Sequence, residues 1–188
     1  MNMKIILAIT GASGSIYAFE FLKLMQDIDV EVHGIISKVG RLVMQHELGL
    51  TPDDLGDYVK HWYGIDDFTA PMSSGSSRFD SMVVLPCTMG SLGAIANGLS
   101  RNLIHRAADV MLKEARPLLL AVRETPFNRV HLQNMLKVQE AGAIICPPMP
   151  SFYHHPENLT EMAGFFANRV GDLLGLEMVN QKRWQGIT

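Results

Sequence analysis

The stretch that decides the fold is residues 4–15, KIILAITGASGS. Its first half, residues 4–9, is short, rich in isoleucine and apolar on both faces, which is typical of a buried parallel strand. Residues 15–26 follow with helical periodicity. A strand, a turn of small residues and a helix in this order point backbone N–H groups and the positive end of the helix dipole toward an anion. The sequence therefore predicts a phosphate-binding turn here.

Five short apolar runs alternate with helical patterns along the chain. The predicted strands are residues 4–9, 30–36, 82–85, 118–122 and 143–146. The predicted helices are residues 15–26, 38–48, 88–114 with a break near 98–100, 128–140 and 158–174. This alternation predicts an α/β fold, a doubly wound parallel sheet in a Rossmann-like or flavodoxin-like three-layer sandwich. We expect residues 1–188 to form a single domain.

Composition narrows the function classes. Of the 188 residues, 47% are hydrophobic and 19% are charged, and the formal net charge is −3. Because a nucleic-acid backbone demands a basic face, this charge disfavours nucleic acid as a partner. We expect no membrane span and no signal peptide, since no apolar run is long enough and the first residues lack the pattern. With two cysteines, Cys87 and Cys146, we predict reduced thiols in a cytoplasmic protein.

The segments that follow the predicted strands carry most of the candidate ligand groups. They are GASGS at 11–15, SK at 37–38, PCTMGS at 86–91, RETP at 123–126 and PPMPSFYHHP at 147–156. In an open parallel sheet such segments all lie at one edge, where ligands bind. Their hydroxyls, small residues and charges predict a phosphorylated ligand across this edge. A further segment, PMSSGSS at 71–77, is by composition alone a flexible connector.

Three other chemistries are disfavoured by the residues. A nicotinamide site needs a third glycine where this chain has Tyr17, and an acidic residue where it has Ser37, although Lys38 could meet a 2′-phosphate. A metal site at the adjacent histidines, residues 154–155, lacks other ligands at useful spacing. Cys87 could be a nucleophile at the ligand edge, but free cysteines are more often small buried hydrophobic residues.

Several longer motifs carry a more specific resemblance. They include TGASGSIY at 10–17, AADVMLKEARPLLL at 107–120, VRETPF at 122–127 and PPMPSFYHHP at 147–156. Together they closely resemble the UbiX-type flavin prenyltransferases, and the resemblance extends from residue 4 to residue 186. It implies transfer of the dimethylallyl group of dimethylallyl monophosphate to N5 and C6 of reduced FMN. The product, prenylated FMN, would be the cofactor of a UbiD-type decarboxylase in ubiquinone biosynthesis or aromatic acid decarboxylation.

The resemblance also assigns expected roles to particular residues. The expected FMN-binding residues are Gly11, Ala12, Ser13, Ser37, Thr88, Met89, Gly90, Ser91 and Arg123. The expected residues for the phosphate of the prenyl donor are Ser74, Gly75, Lys113, Arg123, Tyr153 and Arg169. The expected catalytic residues are Ser13 near N5, Glu47 and Glu124 as proton handlers, and Trp184 as a π face for the allylic cation. On pattern alone, Lys113 and Arg169 would be solvated surface charges.

The resemblance also implies the metal requirement, the oligomeric state and the role of the C-terminal tail. It implies no metal, so cationic side chains must stabilise the leaving phosphate. It implies a homo-oligomer, a dodecamer with active sites between subunits, and a C-terminal tail, about residues 175–188, that contributes to the site. One alternative stays open: an FMN-binding accessory subunit or carrier for the 3-octaprenyl-4-hydroxybenzoate decarboxylase, with no chemistry of its own. The related flavin-dependent cysteine decarboxylases are disfavoured, because residues 147–152 do not match their PxMNxxMW segment.

Overall fold

Six parallel strands form one sheet in the computed structural model, which describes residues 3–178, 183 and 186. The strands are β1 (Lys4–Ile9), β2 (Glu31–Ile36), β3 (His61–Tyr63), β4 (Ser81–Cys87), β5 (Leu118–Val122) and β6 (Ile144–Ile145). Their order across the sheet is β3-β2-β1-β4-β5-β6. This is the strand order of a doubly wound Rossmann-like sheet. The predicted fold class is therefore confirmed.

Six α-helices cover the two faces of the sheet. They are α1 (Ser15–Asp27), α2 (Lys38–Leu48), α3 (Met89–Ala96), α4 (Leu103–Lys113), α5 (Arg129–Glu140) and α6 (Leu159–Leu173). The apolar side chains of α1, α2 and α6 join one buried cluster, and those of α3, α4 and α5 join the other. The chain thus forms three layers. The predicted break between α3 and α4 is confirmed by the residues 97–102 that separate them.

The central strands are buried on both sides, as their sequence predicts. In β1, the side chain of Ile6 belongs to one core cluster and that of Leu7 to the other, and both are fully buried. Successive side chains of a strand point to opposite faces, so a strand covered on both faces must be apolar throughout. The burial of such residues provides the main favourable free energy of folding.

Strand β3 was not predicted from the sequence. It has only three residues, and none of its side chains is fully buried. It pairs with β2 so that Trp62 lies beside Gly34. A Cβ atom on Gly34 would come within 2.9 Å of Cδ2 of the Trp62 ring, so the absence of a side chain at residue 34 lets the indole lie against the strand. Three residues are too few to show the alternation that identifies a strand. The pairing depends instead on the neighbouring strand β2.

The Ser/Gly loop, residues 71–77, is fastened to α4 and to the residues after it. Its Met72 side chain is fully buried. Arg106 Nε donates a hydrogen bond to the Ser73 carbonyl oxygen at 3.0 Å. Arg116 donates to the carbonyl oxygens of Ser77 at 2.7 Å and Gly75 at 2.8 Å. The expectation of a flexible connector, drawn from composition alone, is therefore wrong, because two guanidinium groups and a buried methionine hold the loop.

No helix in the described part of the chain combines the length and the apolar character needed to cross a membrane.

We expect Arg116→Ala to loosen the Ser/Gly loop. The change removes two charge-assisted hydrogen bonds from a partly buried guanidinium, a loss of about 1–3 kcal/mol in the free energy of unfolding. Amide hydrogen exchange should accelerate in residues 74–77 and stay unchanged in β1. Arg129→Ala, on the exposed first turn of α5, is the matched control. Unchanged exchange in the loop of the Arg116 variant would contradict the fastening role.

Candidate functional site

The sheet reverses its winding between β1 and β4. From β1 the chain moves outward through β2 to β3, and from β4 it moves the other way through β5 to β6. At such a switch point the segments after the two central strands diverge and leave a crevice at the carboxyl edge, the edge where the strands end. Here those segments are residues 10–14 after β1 and Thr88 after β4. The candidate site therefore lies where the sequence predicts a ligand.

Thr10 joins the two sides of this crevice. Its side chain is buried, and its Oγ1 donates a hydrogen bond to the Pro86 carbonyl oxygen at 2.7 Å. The same Oγ1 accepts a hydrogen bond from the Thr88 N–H at 2.9 Å. The sequence analysis gave Thr10 no role of its own. A hydroxyl residue at the end of a buried apolar strand was the one signal that could have singled it out.

Two of the expected FMN-binding residues also cap helices. Ser37 Oγ accepts a hydrogen bond from the Gly40 N–H at 2.9 Å at the start of α2. Thr88 Oγ1 accepts one from the Ser91 N–H at 3.2 Å at the start of α3. Serine and threonine are favoured at these positions for that reason alone. Capping uses the oxygen as an acceptor and leaves the Ser37 proton available to a ligand.

Glu47 fills the amino terminus of α1. Gly14 caps this helix with a φ of 111°, a left-handed conformation that suits glycine, and it has no side chain to accept hydrogen bonds. The Glu47 carboxylate, from the end of α2, instead accepts from the N–H groups of Gly14 at 3.0 Å and Ser15 at 2.8 Å. A phosphate could bind these two groups only by displacing Glu47. The structure thus corrects the prediction of a phosphate-binding turn at these two N–H groups, because a carboxylate of the same chain already binds them.

The Glu47 carboxyl is held in its ionised form. Partial burial is the largest single influence and by itself would raise its pKa, but hydrogen bonds outweigh burial. Those from the Ser13 side chain and from the N–H groups of Ser15 and Gly14 together lower the pKa of Glu47 below its usual value. Ser13 and Glu47, two expected catalytic residues, are therefore neighbours at the crevice.

Two arginines stand near the opposite side of α1. Burial raises the pKa of Tyr17, in the first turn of α1, and the positive charge of Arg123 opposes that rise, so the two residues are close. Burial likewise raises the pKa of the Cys146 thiol, just after β6, against the charge of Arg169. Both arginines are exposed. Two cations expected to bind the donor phosphate thus share the carboxyl edge with the expected FMN-binding residues.

The remaining expected phosphate ligands at residues 74, 75 and 113 lie at the other edge of the sheet. Lys113 ends α4 just before β5 begins, and it forms an ion pair with Glu114. Gly75 lies against this pair, since a Cβ atom on it would come within 2.6 Å of Lys113 Nζ. Strand β4 is seven residues long, so at about 3.3 Å per residue its ends are roughly 20 Å apart. One chain does not bring Lys113 and Arg123 together.

Three expected site residues are left to place: Tyr153, Glu124 and Trp184. Tyr153, in a short 3-10 helix after β6, is exposed and its ring lies 4.2 Å from the ring of His154. Glu124 is also exposed, and its carboxylate accepts from the Thr125 N–H at 3.0 Å. Trp184, like most of residues 179–188, lies outside the described residues.

Cys87 is not a nucleophile in this structure. It is fully buried, and burial raises the pKa of its thiol to about 12, so almost no thiolate forms at neutral pH. The preference for a small buried hydrophobic residue is confirmed. Both cysteines are free. Within the described ranges, no three His, Cys, Asp or Glu side chains are grouped so that they could hold a metal ion.

The hydrogen-bond donors at the crevice fit a flavin mononucleotide. Ser13, Ser37 and Arg123 offer hydrogen-bond donors around the edge, as a phosphate and a heterocycle require. Gly11 has no room for a side chain, because a Cβ atom would come within 2.7 Å of Val39 Cβ. The absence of a side chain at residue 11 therefore lets the turn pack closely against the first turn of α2.

Comparison with known proteins identifies the protein family. The family model described as Flavoprotein matches residues 1–165. The flavin prenyltransferase UbiX of Methanocaldococcus jannaschii is 46% identical over 182 residues, which cover 97% of this chain and 98% of that protein. The chain therefore belongs to the UbiX flavin prenyltransferases within the Flavoprotein family, as its motifs suggested.

Solved structures agree with this assignment. The crystal structure of AnUbiX (PadA1) in complex with FMN and dimethylallyl pyrophosphate superposes with a TM-score of 0.97 at 38% identity, and each chain is covered completely. A dodecameric FMN-dependent UbiX-like decarboxylase from Escherichia coli O157:H7 superposes with a TM-score of 0.94, also at 38% identity, over 98% of this chain and 100% of that chain.

We expect Glu47→Gln to lower stability in a pH-dependent way. The pKa of Glu47 is lower in the folded than in the unfolded chain, so its carboxylate stabilises the fold above the unfolded pKa. This contribution disappears as the pH falls through the folded pKa. At pH 7 the variant should lose about 0.5–1 kcal/mol, a small effect because the residue is exposed to water on one side.

The measurement is urea unfolding of both proteins at several pH values. The two stability curves should converge in acid, below the usual range of a glutamate pKa. Glu140→Gln, at the exposed end of α5, is the control and should show no such convergence. A gap that shows no narrowing at any acid pH would exclude the carboxylate charge as its cause.

Proposed function

We propose that this protein joins the dimethylallyl group of dimethylallyl monophosphate to N5 and C6 of reduced FMN, giving prenylated FMN. The observation that carries the proposal is the superposition of the whole chain on AnUbiX, a structure that holds FMN and dimethylallyl pyrophosphate. The protein is accordingly a transferase of prenyl groups. When bound, reduced FMN supplies the nucleophilic nitrogen N5 and the ring carbon C6.

FMN is proposed to occupy the crevice between β1 and β4. Gly11, Ala12 and Ser13 would approach the ring system from the turn after β1, with Ser13 nearest N5. Ser37, Arg123 and residues 88–91 would supply donors to the rest of the cofactor. The support is their common position at the carboxyl edge of the sheet, at the ends of four of its strands.

Cationic side chains are proposed to stabilise the leaving phosphate. The allylic C–O bond must break as the new C–N bond forms, and negative charge accumulates on the phosphate oxygens. Arg123 and Arg169 share one edge of the sheet, and a guanidinium binds phosphate through two parallel N–H groups. Tyr153 and Trp184 are proposed as π faces for the allylic cation. No metal ion has a part in this proposal.

The proton released on ring closure needs an acceptor. Glu47 is ionised at neutral pH because its hydrogen bonds lower its pKa, and it contacts Ser13. We propose that it keeps the Ser13 hydroxyl oriented and accepts or relays a proton near N5. Glu124 is the second candidate, and its exposure leaves it free to exchange protons with water or with the released phosphate.

The site is proposed to be complete only in an oligomer. Lys113, Ser74 and Gly75 lie at the edge of the sheet where β4 and β5 begin, and Arg123 lies at the edge where β5 ends, so the strands separate the two groups in one chain. A second copy that presents its Lys113 edge to the carboxyl edge of the first would bring all the expected phosphate ligands together. A UbiX-like relative is a dodecamer, and we propose the same symmetric assembly here.

We further propose a domain organisation, a use for the product and a cellular compartment. Residues 1–188 act as one FMN-binding domain, with the tail of about residues 175–188 completing the site. The product serves a separate UbiD-type decarboxylase. The protein works in the cytoplasm, where a reducing compartment would keep its two free thiols unpaired.

We expect the purified protein to convert reduced FMN and dimethylallyl monophosphate into a flavin heavier by one C5H8 unit. The reaction is run anaerobically with dithionite and a metal chelator, and the extracted flavin is analysed by mass spectrometry. Lys113→Ala should slow it at least about tenfold through loss of a phosphate-binding cation. Lys60→Ala is the matched control and should react normally. Tightly bound, unmodified FMN in the wild-type reaction would favour the carrier function instead.

Mixed oligomers test where Lys113 acts. Lys113→Ala and Arg123→Ala should each be nearly inactive alone. Co-expressed with different tags and purified together, they should recover about one quarter of wild-type activity, because one site in four would then combine an intact Arg123 with an intact Lys113 from another copy. Absence of recovery in verified mixed oligomers would place both residues in the same chain's site.

A further inference from the structure

The hydrogen bonds around Thr10 have a defined direction. Thr10 Oγ1 donates its single proton to the Pro86 carbonyl oxygen at 2.7 Å, so toward Thr88 it can act only as an acceptor. It accepts there from the Thr88 N–H at 2.9 Å. The Thr10 N–H also donates to the Pro86 carbonyl oxygen, at 3.3 Å. Three hydrogen bonds thus join the ends of β1 and β4 across the switch point.

The side chain of Thr88 makes its own hydrogen bonds, to Ser91. Its Oγ1 accepts from the Ser91 N–H at 3.2 Å and donates to the Ser91 Oγ at 3.0 Å. The Ser91 hydroxyl is therefore an acceptor toward Thr88 and keeps its own proton. Among the described residues, no acceptor for that proton is found, and Ser91 is only partly buried at the edge of the crevice.

Strand β4 makes this arrangement necessary. Its regular pairing with β1 ends at Val84, and its register with β5 shifts between Val84 and Cys87. The Pro86 carbonyl oxygen and the Thr88 N–H then need partners outside β5, because buried backbone groups without partners are costly. Thr10 is 2% exposed and serves both groups with one hydroxyl.

We propose that Thr10 is a positioning residue for flavin binding: it fixes the backbone of Thr88, and thereby the position from which the Ser91 hydroxyl donates its proton to an acceptor atom of FMN. The inference rests on the proposed function, since it takes FMN as the ligand of this crevice. Thr10 itself does not contact the cofactor. Its hydroxyl holds Thr88 in place before any ligand arrives, and the Thr88 hydroxyl then leaves Ser91 as the donor.

The experiment compares FMN affinity in full-length protein freed of flavin, by titration with oxidised FMN and flavin fluorescence. Thr10→Val keeps the shape of the side chain and removes the hydroxyl, so it should weaken FMN binding about tenfold. Thr10→Ser restores the hydroxyl and should bind within about twofold of wild type. Thr69→Val is the matched control, because its hydroxyl donates to Asp67 far from the crevice, and it should leave FMN affinity unchanged.

A double-mutant cycle with Ser91→Ala tests the route through Ser91. If Thr10 acts by orienting the Ser91 hydroxyl, Thr10→Val should cost less than about threefold in affinity once Ser91 is alanine. Equal costs in both backgrounds would overturn that route. Should Thr10→Val not fold, Thr10→Cys replaces it, with a weaker hydrogen-bonding group and an intermediate loss of affinity expected.

The outcomes separate this inference from the proposed function. Wild-type protein that fails to bind FMN would contradict both the inference about Thr10 and the proposed function. Normal FMN binding by wild type and by a folded Thr10→Val variant would overturn the inference and leave the proposed function intact. The same holds for a variant that loses thermal stability while its FMN affinity is unchanged, because the hydroxyl would then serve the fold alone.

Discussion

All six strands run in the same direction, and this single constraint determines where ligand-binding groups can gather. Every segment that leaves a strand emerges at one edge, and the reversal of winding between β1 and β4 opens a crevice there. Three hydrogen bonds between Thr10, Pro86 and Thr88 hold that crevice at a set width. The positions of Ser13, Ser37 and Arg123 around it depend on that arrangement.

The charges at this edge are divided between its two sides. Glu47 places a carboxylate on the amino terminus of α1, where the helix dipole favours a negative charge. Arg123 and Arg169 provide positive charge near Tyr17 and Cys146. An anionic ligand would therefore be drawn toward the arginines, while a group that loses a proton would find its acceptor on the other side. This separation suits a reaction that expels phosphate and releases a proton.

At the opposite edge of the sheet, hydrogen bonds hold the Ser/Gly loop in a fixed position. Arg106 and Arg116 hold the Ser/Gly loop by its carbonyl oxygens, beside the ion pair of Lys113 and Glu114. A solvent-exposed connector would have little need of two guanidinium groups. The arrangement is understandable if this edge serves the active site of a second copy, as we propose, because its loop must then match the surface of another subunit.

The sequence by itself determined the fold class and five of the six strands. Unbroken apolar runs such as residues 4–9 identify buried strands, and helical periodicity identifies α1, because these signals are local. Only the tertiary structure decided that Glu47 lies at the start of α1 and that three-residue β3 pairs with β2. Each of these depends on contacts between residues distant in the chain, where spacing carries no information. The bridge made by Thr10 is of the same kind, since its partners lie 76 and 78 residues away.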